Sequence, residues 1–314
     1  ALGGLGLSRL DASIILEELA AGCTSTAAYI TIHNMVCWMV ARWAQAPLRD
    51  EWVPRLARGE KLGSYCLTEP DAGSDAASLK TRAEKRGAKY ILNGSKVFIS
   101  GAGATDLLVV FARTGAPGAK GISTFAVPAD APGIRYGKKE HKMGWNSQPT
   151  RAISFDNVEV PEGNRLGAEG EGFAIAMKAL DGGRINIATC SVGTAQSALD
   201  HAQSHLNTRK QFGQTLSQFQ GLQFRLADML IDLVSARQMV RLAAWMLDSQ
   251  HREASTYCAM AKRHATDIGF EVANQALQLH GGYGYSREYP LERHVRDSRV
   301  HQILEGTNDI MRVI

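Results

Sequence analysis

Cysteine is scarce. Cys23, Cys37, Cys66, Cys190 and Cys258 are the only five in 314 residues, an odd number with no C-x-x-C pair. That spacing excludes a disulfide scaffold and the common zinc patterns, and it fits a reducing compartment. No apolar run reaches about 18 residues, so no membrane-spanning helix is expected. Charge of one sign is also lacking: the net charge is +4, with a pI near 8.8. This balance allows anionic ligands without demanding nucleic acid. There is no internal repeat and no low-complexity segment. His201 and His205 stand at i, i+4, but Ala202 follows where a zinc protease helix needs Glu, so no metal site is expected. Leu2-Gly3-Gly4-Leu5-Gly6-Leu7 has no strand before it, which excludes a dinucleotide fingerprint. The chain opens on Ala1 instead of Met and is expected to be part of a longer protein.

What is present is a change of texture along the chain. Length suggests about two domains, and a hydrophobic content of 45% with 21% charged residues is that of a globular protein. Ser8 and Asp11 can cap a helix whose apolar face carries Ile14, Ile15 and Leu19. A second helix is expected over residues 25–43, ended by Pro47, and a third over 48–58, stopped at Gly59. Residues 62–160 then show strand patterns. The clearest hairpin signal is the run 89–99 around Asn93-Gly94. Further strands are expected over 107–111, 122–127 and 152–160, with turns at Pro117-Gly118 and Pro132-Gly133. A small antiparallel β domain, barrel or sandwich, follows. From Gly170 on the signal is helical, with a run 173–207 bent near Gly182-Gly183. Leu222, Leu226, Met229, Leu233, Ala236, Val240, Ala243 and Leu247 keep a 4-3-4-3 spacing, a straight seam of about 37 Å at about 1.5 Å per residue. Ala265, Ile268, Val272, Ala276 and Leu279 make a second stripe, and such long amphipathic helices form a bundle.

Chemistry concentrates in five places. Glu305 has Ile303 and Leu304 before it and Gly306 after it. A carboxylate in such company loses hydration and its pKa rises, as a base for a weak carbon acid requires. The plain alternative is an acidic residue at a helix junction, since Thr307, Asn308 and Asp309 read as a helix start. Residues 65–75 form a Gly/Ser/Asp-rich loop that offers N–H groups and hydroxyls to a polar heterocycle or phosphate, or is only a turn. Phe98 and Ser100 lie two residues apart on one strand face, a ring and a hydroxyl suited to a flat cofactor, or an ordinary strand end. Arg209 and Lys210 suit an anionic ligand or a helix terminus. His280-Gly281-Gly282 either exposes N–H groups to a pyrophosphate or is a glycine cap.

Taken in order, Tyr65-Cys-Leu-Thr-Glu-Pro with Gly73-Ser74-Asp75, Asn93-Gly-Ser-Lys96 with Phe98-Ile-Ser100, Arg209-Lys-Gln-Phe-Gly213, His280-Gly-Gly282 and Glu305-Gly-Thr307 resemble the acyl-CoA dehydrogenase family. The resemblance runs through all 314 residues. Gly144–Arg151, Asp181–Asn186 and Arg296–Glu305 point within it to the branch acting on short branched acyl-CoA. Asp71 departs from the glycine common in the first motif. The resemblance implies an α+β multi-domain fold: a truncated helical domain over 1–61, a middle antiparallel β-barrel domain over 62–168 and a C-terminal four-helix bundle over 169–314. It implies FAD-dependent α,β-dehydrogenation with Glu305 as the base. Tyr65, Cys66, Leu67, Thr68, Gly73, Ser74, Phe98, Ile99 and Ser100 would hold the flavin ring, Thr68 at its pyrimidine side and Ser100 toward N5. Arg209, Gln211, Phe212 and Gln220 would meet the FAD of a neighbouring subunit, and Gln278, Leu279, His280, Gly281 and Gly282 its diphosphate. Thr307 and Asn308 would flank the cofactor. Ser74, Asp181, Arg184 and Gly306 would contact acyl-CoA, and residues 29–35 would floor the acyl pocket. Implied partners are electron-transfer flavoprotein and three further copies in a homotetramer, with neither nucleic acid nor membrane. The expected compartment is the mitochondrial matrix in a eukaryote and the cytoplasm in a bacterium. The competing readings are a straight-chain dehydrogenase, an oxygen-using oxidase, and a non-catalytic DNA-binding or scaffold flavoprotein.

Overall fold

Ser8 starts the first helix as its sequence suggests. Its hydroxyl accepts the Asp11 N–H at 3.0 Å, and the Asp11 carboxylate accepts the Ser8 N–H at 3.0 Å. This reciprocal box satisfies two donors a helix start leaves open. The computed structural model describes residues 2–314; Ala1, first residue of the expected segment 1–61, lies outside the described residues. The helices are α1 (Arg9–Gly22), α2 (Thr24–Trp43) and α3 (Ala46–Ala57), followed by strands β1 (Gly63–Cys66), β2 (Arg82–Arg86), β3 (Lys89–Ser100), β4 (Leu107–Arg113), β5 (Ile122–Pro128), β6 (Ile134–Lys139), β7 (Thr150–Pro161) and β8 (Arg165–Leu166). Then come α4 (Gly172–Thr208), the two-residue strands β9 (Lys210–Gln211) and β10 (Gln214–Thr215), α5 (Gln220–Asp248), α6 (Ala254–His280), α7 (Leu291–Arg299) and α8 (Asn308–Met311). The described residues divide into two compact units. One holds residues 2–6, Tyr29–His141 and Gln148–Leu180; the other holds Leu7–Ala28, Lys142–Ser147 and Asp181–Ile314.

The first unit is built on an eight-stranded sheet in the order β6-β7-β3-β2-β4-β5-β8, with β1 paired to β4. The path is open, because β6 and β8 end it without pairing with each other, so the expected barrel does not close. Nor is the sheet purely antiparallel: β1 runs parallel to β4 over four residue pairs. β4 shows why it is central. Leu107, Val109 and Phe111 enter a core with α2, α3 and the start of α4, whereas Leu108, Val110 and Ala112 enter a second core on the other face. A strand buried on both sides reads as one apolar run.

The expected hairpin at Asn93-Gly94 is not there. β3 runs straight through it, and the turn that joins β2 to β3 lies at Gly87-Ala88. The pairing of β3 with β7 slips between Leu92 and Gly94, the mark of a bulge. Gly94 (φ 147°) is needed for a tertiary reason: a Cβ there would lie 2.5–2.8 Å from Thr81 atoms. Close approach, not a turn, selects this glycine.

One buried ion pair ties the β1 exit loop to β3. Lys96 Nζ donates to Glu69 at 2.8 Å and to the Leu67 carbonyl at 2.9 Å. The Glu69 carboxylate also accepts the N–H groups of Lys80 at 2.6 Å and Thr81 at 3.0 Å. Burial alone would raise this carboxyl, but Lys96 and the two N–H groups hold it below its ordinary value. Lys96→Met leaves the carboxylate buried without its cation and is expected to cost about 3–5 kcal/mol. Urea unfolding of the variant checks this; a loss under about 1 kcal/mol contradicts it.

The second unit follows its seams. Met229, Leu233, Ala236, Val240 and Ala243 of α5 are buried, with Leu222, Leu226 and Leu247 packed at their margin. They meet Ala265, Val272, Ala276 and Leu279 of α6 and Ile185, Val192 and Leu199 of α4. α4 continues unbroken through Gly182-Gly183 for 37 residues. α1 departs from expectation. Ile14, Ile15 and Leu19 are exposed, and Ser13, Leu16 and Ala20 face inward. Space decides this: α1 passes so close to α4 that a Cβ on Gly193 would sit 3.0 Å from the Ala20 Cβ. Only small side chains fit such a crossing. Glu17 anchors it through Arg237 at 2.7 Å.

Candidate active site

In the second unit, Glu305 occupies the turn between the 3-10 segment Val300–Gln302 and α8. Its φ is +57°, and that of Gly306 is +91°. A glutamate in the left-handed region is uncommon, and such strain is retained where the surroundings over-determine it. Those surroundings are visible. Thr307 caps α8 by accepting the Ile310 N–H at 3.2 Å. Lys262 Nζ donates to the Gly306 carbonyl at 2.8 Å and to Asn308 Oδ1 at 2.8 Å. The Asn308 amide donates to Thr266 at 2.9 Å and Asp267 at 2.7 Å. Gln302 reaches the same Asp267 oxygen at 2.9 Å.

The Glu305 carboxyl lies against the backbone of α4. A Cβ on Gly183 would fall 2.5–3.0 Å from its three terminal atoms. Although the residue as a whole is half-buried, its Oε2 is out of solvent and has no hydrogen-bond partner. Desolvation pushes its pKa up to about 7, with Arg184 and then Lys262 pulling the other way. Arg184 is itself buried and paired with Asp181 at 2.8 Å; the other Asp181 oxygen accepts the Ser255 hydroxyl at 2.6 Å. An ionisable carboxyl with a free lone pair and proton affinity near neutrality can accept a proton from carbon.

Arg209, Gln211, Phe212 and Gln220 are all exposed. Phe212 tips the β9–β10 hairpin at 93% exposure, and its turn has positive φ at both Phe212 and Gly213. The Arg209 guanidinium lies 5.4 Å from the Tyr283 ring centre. Gln278 is exposed, Leu279 and His280 are buried, and Gly281 (φ +58°) caps α6 with Gly282 beside it. A Cβ on either glycine would meet nothing within 4 Å. His201 is exposed, but His205 is half-buried and its ring stacks on that of His280 at 4.3 Å, so this face is less solvated than expected. Among the described residues no His, Cys, Asp and Glu group could hold a metal ion.

In the first unit, two of the segments expected to hold the ring system are joined. The Val97 N–H donates to the Thr68 carbonyl at 3.0 Å, which fixes the loop after β1 against β3. The β3–β7 pairing slips again between Lys96 and Ile99. There Phe98 takes φ +58° and stands 69% exposed, while Ile99 is buried beneath it. Ser100 accepts the Ser64 hydroxyl on its carbonyl at 2.7 Å. Tyr65 and Thr68 are half-buried, Gly73 and Ser74 are exposed, and Leu67 is buried. Cys66 is fully buried, and desolvation pushes its thiol up to about 12. Of residues 29–35, Tyr29 reaches this end of β3: a Cβ on Gly101 would lie 2.7 Å from its hydroxyl.

Sequence reasoning placed Gly183 at an expected helix bend, not beside Glu305, and did not single out Lys262. Lys262 carried a usable signal, since it interrupts the small apolar face of α6 between Cys258 and Ala265. Gly183 carried no signal for this role, because its partner lies 122 residues away.

The β unit presents an outward-turned ring, and the helical unit holds a desolvated, unpartnered carboxyl on a strained turn. Three family descriptions match in sequence: "Acyl-CoA dehydrogenase, N-terminal domain" over residues 1–60, "middle domain" over 64–158 and "C-terminal domain" over 170–314. The chain belongs to the acyl-CoA dehydrogenase family. It is 55% identical over 313 residues to the isobutyryl-CoA dehydrogenase, mitochondrial, of Bos taurus, covering 100% of this chain and 75% of that one. The protein of the same name from Dictyostelium discoideum is 54% identical over 314 residues, covering 100% and 76%. The structure of butyryl-CoA dehydrogenase from Megasphaera elsdenii is 40% identical with a TM-score of 0.96, covering 99% and 82%.

Proposed function

We propose that this oxidoreductase removes two hydrogens from the α and β carbons of a short branched acyl-CoA, converting isobutyryl-CoA to methacrylyl-CoA. The observation that carries the reading is the Glu305 Oε2, buried and without a partner on a carboxyl whose proton affinity lies near neutrality. Glu305 takes the α-proton, and its own backbone N–H donates to the thioester carbonyl, where negative charge develops. The resulting carboxylic acid is favoured by the same lack of solvent that raises its pKa. Arg184, held by Asp181, and Ser74 and Gly306 contact the acyl-CoA. Residues 29–35 floor the acyl pocket.

FAD, when bound, supplies the acceptor for the β-hydrogen as hydride. The chain fits this group in three respects. Phe98 is turned outward on a bulge, Ser100 follows it two residues on, and Gly281 and Gly282 leave open space at the end of α6 where a diphosphate can approach. Tyr65–Thr68, Gly73 and Ser74 hold the ring's polar edge, and Thr307 and Asn308 flank it. Arg209, Gln211, Phe212 and Gln220 serve the cofactor of a neighbouring copy within a homotetramer; the bare Phe212 supports a second copy at this place. On the same reading the chain divides at 1–61, 62–168 and 169–314, and the last segment is a four-helix bundle. Electrons leave to electron-transfer flavoprotein. The mitochondrial names of two relatives support the matrix as its place.

The test is anaerobic bleaching of the purified holoenzyme's flavin by isobutyryl-, butyryl-, isovaleryl- and octanoyl-CoA. The expected result is fastest bleaching by isobutyryl-CoA. Preference for octanoyl-CoA overturns the proposed substrate, and bleaching by none overturns the reaction.

A further inference from the structure

The turn that carries Glu305 is held from one side by a buried lysine. Lys262 lies on the inward face of α6, in a row with Cys258, Ala261 and Ala265, and none of its surface is exposed. Its ammonium group donates to the carbonyl of Gly306 and to Asn308 Oδ1, each at 2.8 Å. Both acceptors are neutral. A buried cation hydrogen-bonded only to neutral oxygens is costly, and one placed so beside a turn is explained by what it does to that turn.

We propose that Lys262 is a positioning residue for the base: it clamps the Glu305–Gly306 turn through the Gly306 carbonyl and Asn308, and its positive charge keeps the Glu305 carboxyl ionisable without contacting the substrate. The proposal rests on Glu305 being the base. The groups around the carboxyl support it. From α4, Arg184 also acts on Glu305, but its charge is shared with Asp181 at 2.8 Å. From α6, Asp267 is taken up by Asn308, Gln302 and, at 3.7 Å, Arg263. His301, in the 3-10 segment before the turn, is buried and held neutral, pushed down to about 3 by desolvation and then by Lys262. Lys262 itself is lowered to about 8 by burial, with Glu305 the largest influence in the opposite direction. Two groups that each favour the other's charged form are electrostatically coupled.

Two functions can be separated by substitution. Lys262→Gln keeps a donor for the Gly306 carbonyl and removes the charge. Lys262→Arg keeps the charge and alters the reach. Infrared difference titration of the holoenzyme follows the protonated-carboxyl band that Glu305→Gln removes, independently of turnover. In Lys262→Gln the titration midpoint of that band is expected to rise by about one pH unit, and the acid limb of kcat/KM is expected to move with it. In Lys262→Arg both stay near the wild-type position. An unmoved midpoint in folded, flavin-loaded Lys262→Gln, or an equal shift in Lys262→Arg, overturns the proposal. Full activity of Glu305→Gln overturns the base assignment instead, so the two failures are distinguishable.

Discussion

Glu305→Gln slows bleaching of the flavin by isobutyryl-CoA by at least about 10³-fold, within the range a positioned general base contributes, while FAD stays bound. The amide keeps the shape of the side chain and loses the ability to accept a proton. The same substitution has a signed effect on stability. Burial lifts the folded-state pKa of Glu305 to about 7, above the value of about 4.3 expected for an unfolded glutamate. Below the lower value both states are protonated and the residue contributes no pH-dependent difference. As pH rises between the two values the unfolded chain ionises first, so the native state loses stability until the folded pKa is passed. Glu305→Gln removes that loss. It therefore raises the melting temperature above pH 7 and changes it little near pH 4. A variant that melts lower at pH 8 than the parent protein contradicts a buried carboxyl whose pKa is raised on folding.

Gly183→Ala is the second large effect, and it separates activity from stability. Alanine in a helix interior is favoured over glycine by about 1 kcal/mol. Its methyl group would fall 2.5–3.0 Å from the Glu305 carboxyl. The carboxyl sits at the end of a flexible side chain and can move aside at little cost to the fold. It cannot do so and keep its place relative to the α-carbon. A displacement near 1 Å costs about 10²-fold in rate. The expected outcome is kcat/KM down by about 10²-fold with an unchanged or higher melting temperature. Wild-type activity in Gly183→Ala means that the carboxyl does not use the groove along α4.

These two residues mark what the sequence makes legible. Ile303 and Leu304 suggest a dry neighbourhood for Glu305, but Ile303 stands 51% exposed, and the carboxyl is covered instead by the backbone of α4 at Gly183. The buried residues of α5 follow from their 4-3 spacing, because a helix repeats its face locally. Gly183 is misread: with Gly182 it suggests a bend, but α4 runs on unbroken and Gly183 instead makes room for a side chain far along the chain. Asn93-Gly94 is misleading for the same reason. The pair favours a hairpin turn when only neighbours count, but Thr81 approaching Gly94 turns it into a bulge. The inward face of α1 likewise depends on Gly193, which admits Ala20 at the crossing and leaves Ile14, Ile15 and Leu19 on the exposed side. An open sheet cannot be told from a closed one by strand pattern, since closure depends on whether the end strands pair. Here β6 and β8 do not.

The central claim is that one desolvated carboxyl, Glu305, performs the proton abstraction. Its most direct test is the rate of flavin bleaching by isobutyryl-CoA, measured by rapid anaerobic mixing from about pH 5 to 9. The base acts as a carboxylate, and a raised pKa empties that form as pH falls. The rate constant is therefore predicted to fall on the acid side with a midpoint near 7, the value to which burial lifts this group. A rate that stays level down to about pH 5, as an ordinary solvated glutamate with a pKa of about 4.3 would give, contradicts the account.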